Sequence, residues 1–196
     1  VLAVGGWADG YSNAIFRLLE NLETPAKGII GPWSHMYPHL GKPGPAIGFL
    51  QETLRWWNHW LKGMYSGIMS EPALSLWLQD YSRPAAKMDY RPGHWIGIPE
   101  WPGEQVMHRT LHLTPDHELQ PEPADHQLDI AIQSPLSVGL NGGKWCSYSA
   151  APDLPQDQRE EDGGALVFET PPLEEALNIV GRSEERRVGK ECPSPC

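Results

Sequence analysis

Two short apolar runs, Val1-Leu2-Ala3-Val4 and Gly28-Ile29-Ile30, each closed by a glycine, constrain this chain more than any other feature in it. Runs this short and β-branched suit parallel strands covered on both faces. Between them Ile15, Leu18, Leu19 and Leu22 recur at helical spacing, with Ser12 available as an N-cap. The unit reads as strand, helix, strand. Asp9 lies just past the first strand and His35 just past the second. Ligands of open α/β sheets bind outside the carboxyl ends of the strands. Asp9 and His35 are therefore expected on one edge of one sheet, where a carboxylate can orient an imidazole.

An acid followed by a histidine is the order of the last two members of an α/β-hydrolase triad, which runs nucleophile, acid, histidine. A serine hydroxyl becomes a good nucleophile only when a neutral imidazole takes its proton. A carboxylate then fixes the tautomer and stabilises the imidazolium. Two serines of the chain lie near the acid and the histidine. Ser12, in Gly10-Tyr11-Ser12-Asn13-Ala14, imitates a nucleophile elbow but stands at a helix start rather than on the turn after a strand. Ser34 is adjacent to His35, and neighbours on a short loop rarely meet as nucleophile and base. The expectation is that the nucleophile is not in this chain.

Three ordered phrases carry a resemblance. They are Gly5-Gly6-Trp7-Ala8-Asp9-Gly10-Tyr11, Gly31-Pro32-Trp33-Ser34-His35 and Leu54-Arg55-Trp56-Trp57-Asn58-His59-Trp60-Leu61-Lys62-Gly63. Together they resemble the cocaine-esterase/glutaryl-acylase (CocE/NonD) hydrolases of the peptidase S15 superfamily, which also holds the X-Pro dipeptidyl-peptidases. The resemblance covers residues 1–181. It implies an α/β-plus-β architecture: the C-terminal part of an α/β-hydrolase domain (1–70), then an incomplete β jelly roll (71–181). It implies Asp9 as triad acid, His35 as general base and then acid, and Tyr11 near the acyl pocket. The activity implied is cleavage of a small-molecule ester, amide or peptide through an acyl-enzyme, with no cofactor. The family's serine precedes the acid, so the chain is expected to be a fragment and, alone, inactive.

Past the His35 loop, Ile47, Leu50, Leu54, Trp57 and Leu61 step by three and four. They predict a helix with one broad apolar face, ended by Gly63; the resemblance implies that this helix packs on the sheet. Residues 64–72 read as a linker. From Ala73 the period becomes two, with strand candidates at Leu74–Gln79, Trp95–Ile96, Thr110–Leu113, Leu128–Ile132 and Leu166–Glu169. Twenty prolines and twenty glycines punctuate this part and the loops before it. Trp95 to Pro102 resembles the family's W-x-x-x-x-x-WP element, read physically as a rigid connection packed on the first domain. Residues 182–196 resemble a translated sequencing adapter and are expected to be non-native.

The net charge of -10 argues against a nucleic-acid partner. No apolar run approaches the ~20 residues of a membrane-spanning helix. With Cys192 and Cys196 set aside in the tail, Cys146 alone supports neither a disulfide framework nor a metal site. His35 and His39 are four apart, like two ligands on a helix, but Pro38 argues against a helix there. His108 and His112 flank a strand with no carboxylate placed to help, and His117 and His126 lie in polar loops, so no metal is expected. Nine tryptophans raise the alternative of a sugar-binding module, although packing accounts for most of them.

Overall fold

A computed structural model describes residues 1–123, 129–144, 146 and 153–181. Its centre is a four-stranded sheet of order β1-β2-β3-β4. Strand β1 (Leu2–Gly6) leads through α1 (Ser12–Asn21) to β2 (Lys27–Gly31), which pairs with it in parallel from Leu2 opposite Lys27 to Gly6 opposite Gly31. The chain then crosses through α2 (Phe49–Lys62) to β3 (Leu74–Gln79), parallel to β2. Strand β4 (Gly93–Ile98) returns antiparallel along β3, Leu74 opposite Ile98 and Gln79 opposite Gly93. The strand expected to open a second domain thus continues the first sheet. Beyond it the described regular elements are a two-residue pair, β5 (His112–Leu113) with β6 (Leu119–Gln120), and a single helical turn, α3 (Arg159–Asp162).

The period of two in β3 decides where the core sits. Leu74 and Leu76 are wholly buried with Ala3, Ile15, Phe16, Ile30 and Ile98. This cluster joins α1 to the sheet, and Trp7 and Trp101 pack on Phe16 with ring centroids 5.8 and 4.8 Å away. The alternate residue Trp77 meets Trp95 at 5.4 Å, and Trp95 meets Trp33 at 6.2 Å. Trp33 and Trp77 are buried in this contact, and Trp95 is 38 % exposed.

Three expectations need correction. Ser12 is the first helical residue of α1; Tyr11 holds the cap position, and no side chain caps it. The apolar stripe of α2 does not pack on the sheet: Leu50, Leu54, Trp57 and Leu61 are 52–74 % exposed, and the buried residue of that helix is Trp56. Periodicity says which residues share a face, not which face is covered. Here Arg55 decides the matter, donating to Glu52 at 2.9 Å and to Glu71, so the polar side of the helix is held to the turn before β3. The stretch expected as a linker carries a one-turn 3-10 helix at Ile68–Ser70 with Ile68 buried. Gly63 does adopt the left-handed conformation that ends α2, and Met64 N–H closes on Asn58 O at 3.0 Å.

Of the remaining strand candidates, residues 129–132 form no strand, and Glu169 contributes a single bridge to Glu118. Leu128, His126 and residues 182–196, with Cys192 and Cys196, lie outside the described residues. No helix among the described residues is long and apolar enough to cross a membrane.

Candidate active site

The site forms where β1 and β2 end. Past Gly6 the chain turns immediately: Trp7 N–H bonds to Gly31 O at 2.9 Å, Ala8 N–H to Trp33 O at 3.1 Å and Asp9 N–H to Gly6 O at 3.2 Å. Two loops are thus laced to each other by backbone. Asp9 then bends its own loop, since its Oδ1 accepts the Tyr11 N–H at 3.1 Å.

Trp33 organises the second loop. It is 1 % exposed, and its Nε1 donates to Pro45 O at 2.7 Å. A Cβ on Gly41 would stand 2.0 Å from the ring and one on Gly31 2.4 Å from it, while one on Gly6 would lie 1.9 Å from the Trp33 carbonyl oxygen. Gly6, Gly31 and Gly41 are there because the Trp33 indole and backbone fill the space of a side chain.

These constraints bring Asp9 Oδ2 to 2.9 Å from His35 Nδ1. The Asp9 side chain is 11 % exposed and that of His35 is 38 % exposed. An ionised carboxylate only accepts, so Nδ1 carries the proton and Nε2 is the basic nitrogen of the neutral ring. Tyr11 stands edge-on to the imidazole, with centroids 5.8 Å apart. The structure therefore brings Asp9, His35 and Tyr11 together. Neither serine competes for the role: Ser12 begins α1, and Ser34 Oγ is buried without a hydrogen-bond partner among the described residues. His39 stacks between Tyr37 and Phe49 rather than joining His35.

One neighbour of the pair was not legible in the sequence. Cys146 Sγ lies 3.6 Å from Asp9 Oδ1, the oxygen that His35 does not use. At 137 positions from Asp9 in the chain, no local pattern could have pointed to it.

Between α2 and the sheet, a cleft of about 250 Å³ is lined by Lys27, Glu52, Arg55, Glu71 and Trp95. Lys27 is 6 % exposed and donates to Ile68 O and, at 2.9 Å, to Glu71 O. Burial lowers its pKa against the raising effect of Glu71. With its ammonium spent on backbone carbonyls, Lys27 anchors the Ile68 turn to the sheet and is no candidate base.

Residues 66–184 match the profile of the X-Pro dipeptidyl-peptidase C-terminal non-catalytic domain, and residues 1–37 match that of X-Pro dipeptidyl-peptidase (S15 family). Two mycobacterial proteins, provisionally named serine esterases, from Mycobacterium bovis and Mycobacterium tuberculosis, are each 24 % identical over 193 aligned residues. The alignments cover 92 % of this chain and 29 % of each relative, so the chain spans less than a third of the length of the curated relatives it matches.

Proposed function

The chain belongs to the X-Pro dipeptidyl-peptidase (S15) family, and from that premise we propose that it is the acid-and-base portion of a serine hydrolase of CocE/NonD type. The observation that carries this reading is the 2.9 Å contact between Asp9 Oδ2 and His35 Nδ1 at the carboxyl ends of two adjacent parallel strands. Asp9 holds the Nδ1 proton and so keeps Nε2 basic. His35 takes the proton of a serine hydroxyl as that oxygen attacks the acyl carbon, then returns it to the leaving alcohol or amine. Asp9 stays ionised throughout and stabilises the imidazolium. The second half of the cycle repeats the transfer with water. The nucleophile is assigned to a segment outside these 196 residues, in keeping with the share of the relatives that the chain spans. Tyr11, edge-on to the imidazole, borders the space where an acyl group would lie. Residues 71–181 are read as the opening of a jelly-roll domain, a reading the match at 66–184 supports.

The test begins with the locus, resequenced on both sides of the reading frame so that any longer protein can be produced beside the 196-residue chain. A fluorophosphonate probe is expected to label the longer protein and leave the chain alone unlabelled. Labelling of the chain itself would overturn the assignment of the nucleophile. In the longer protein, Asp9→Asn is expected to lower kcat about 10⁴-fold, because an amide presents the wrong partner to Nδ1. A loss below about tenfold would remove Asp9 from the triad. Comparison of a p-nitrophenyl ester with an X-Pro anilide then separates esterase from dipeptidyl-peptidase.

A further inference from the structure

We propose that Asp9, His35 and Cys146 form a binding site for a divalent transition-metal ion of the zinc type. Among the described residues they are the one group of three ligating side chains that converges, with donor atoms all within 4.8 Å of one another. The three come from separate places: the loop after β1, the loop after β2, and a residue far along the chain. A tetrahedral zinc site, with Zn–S ≈ 2.3 Å and Zn–N or Zn–O ≈ 2.0–2.1 Å, sets neighbouring donors roughly 3.3–3.5 Å apart. Cys146 Sγ lies 3.6 Å from Asp9 Oδ1 and His35 Nδ1 2.9 Å from Asp9 Oδ2, so the two side chains meet different oxygens of one carboxylate, and an ion shared by all three requires that carboxylate and the ring to turn. Small rotations of the carboxylate and the ring admit the ion.

The donor set also selects the metal. A thiolate with an imidazole suits zinc, cobalt or copper, whereas magnesium and calcium require an oxygen cage. Three protein ligands leave the fourth position to water. Partial burial of all three groups lowers the local dielectric without closing the approach.

The protons balance simply. On binding, the Cys146 thiol loses its proton to solvent and becomes the thiolate ligand. The imidazole binds through Nδ1 and keeps its single proton on Nε2. That tautomer is the reverse of the one the Asp9–His35 hydrogen bond selects, and its Nε2 cannot accept a proton. Metal occupancy and the general-base role of His35 therefore exclude each other, so the site is an inhibitory one if the pair serves a serine. The binding itself does not depend on that.

The experiment is a Co²⁺ titration of the full 196-residue chain carrying Cys192→Ser and Cys196→Ser, so that Cys146 is its one thiol. The expected result is a thiolate-to-cobalt charge-transfer band that saturates at one ion per chain and is bleached by Zn²⁺. The parent chain, titrated beside it, should lose one equivalent of that band on Cys146→Ser. In the single-thiol background, Asp9→Asn and His35→Gln should each weaken binding at least about tenfold. Absence of the band, or cobalt affinity unchanged by both Asp9→Asn and His35→Gln, would overturn the proposal. Neither result depends on a nucleophile, so it fails or stands separately from the hydrolase reading.

Discussion

Residues 1–102 and residues 103–181 of this chain solve the problem of holding a shape in different ways. The first part buries a contiguous apolar cluster, Ala3 through Ile98, between α1 and the sheet. In the second, the buried residues among those described are Gly103, Thr114 and Glu161, none of them a large apolar side chain. It is fastened by hydrogen bonds instead. Glu161 accepts the amides of Gly139 and Asn141, Leu154 N–H reaches Ala86 O at 2.9 Å, and Cys146 reaches Asp9. Val180 touches the first part's core from outside. Apolar burial stabilises without regard to direction, whereas hydrogen bonds stabilise little net but fix geometry. The apolar core therefore lies in the first part, and the second is placed against it largely by hydrogen bonds.

Truncating the core is the strongest way to break that comparison. Phe16→Ala should cost about 3–5 kcal/mol by chemical denaturation, since a ring 1 % exposed between Trp7 and Trp101 leaves a cavity the sheet cannot close. If the second part depends on the first, it should melt in the same transition. Glu161→Ala should cost about 1.5–3 kcal/mol, felt locally, because two amides lose a charged acceptor. Faster hydrogen exchange at Gly139 and Asn141, with little change at Leu74 and Leu76, would confirm that the segment opens alone.

A smaller effect should appear as a slope with pH. Lys27 titrates below its ordinary value of 10.5 because it is buried, so the folded chain holds that proton more weakly than the unfolded chain does. The penalty is complete below the lowered pKa, shrinks as pH rises through it, and is gone above 10.5. Stability of the parent relative to Lys27→Met should therefore rise with pH toward 10.5, as urea midpoints taken at successive pH values would show. Least of all should follow from Leu136→Ser. That side chain is fully exposed, and a change beyond about 0.5 kcal/mol would mean that the second part has apolar packing after all.

The legibility of the site divides along similar lines. Asp9 and His35 could be read because each follows a short apolar strand directly, and parallel strands deliver their carboxyl ends to one edge. The glycines around Trp33 were visible as phrases, but their reason was not: Gly41 meets the indole only because the loop folds back through the bond from Ser34 N–H to Lys42 O at 2.8 Å. For α2 the helix was legible and its orientation was not. A stripe of leucine and tryptophan promises burial, yet the ionic contacts of Arg55 with Glu52 and Glu71 present the opposite side to the protein. Ser12 illustrates a local ambiguity: a serine at a helix start fits either the cap or the first turn, and the backbone angles of Tyr11 place the cap there.

What the sequence determined alone was the strand–helix–strand unit, the periods that mark α2 and β3, the end of α2 at Gly63, and the pairing of acid with histidine. These are consequences of backbone geometry over a few residues, which side-chain order reports directly. Only the tertiary structure decided that β3 and β4 join the first sheet, that α2 turns its apolar stripe outward, and that Cys146 arrives beside Asp9. Each of these is a contact across a large stretch of chain, chosen by which surfaces and hydrogen-bonding groups the whole molecule can satisfy at once, and no local pattern records that choice.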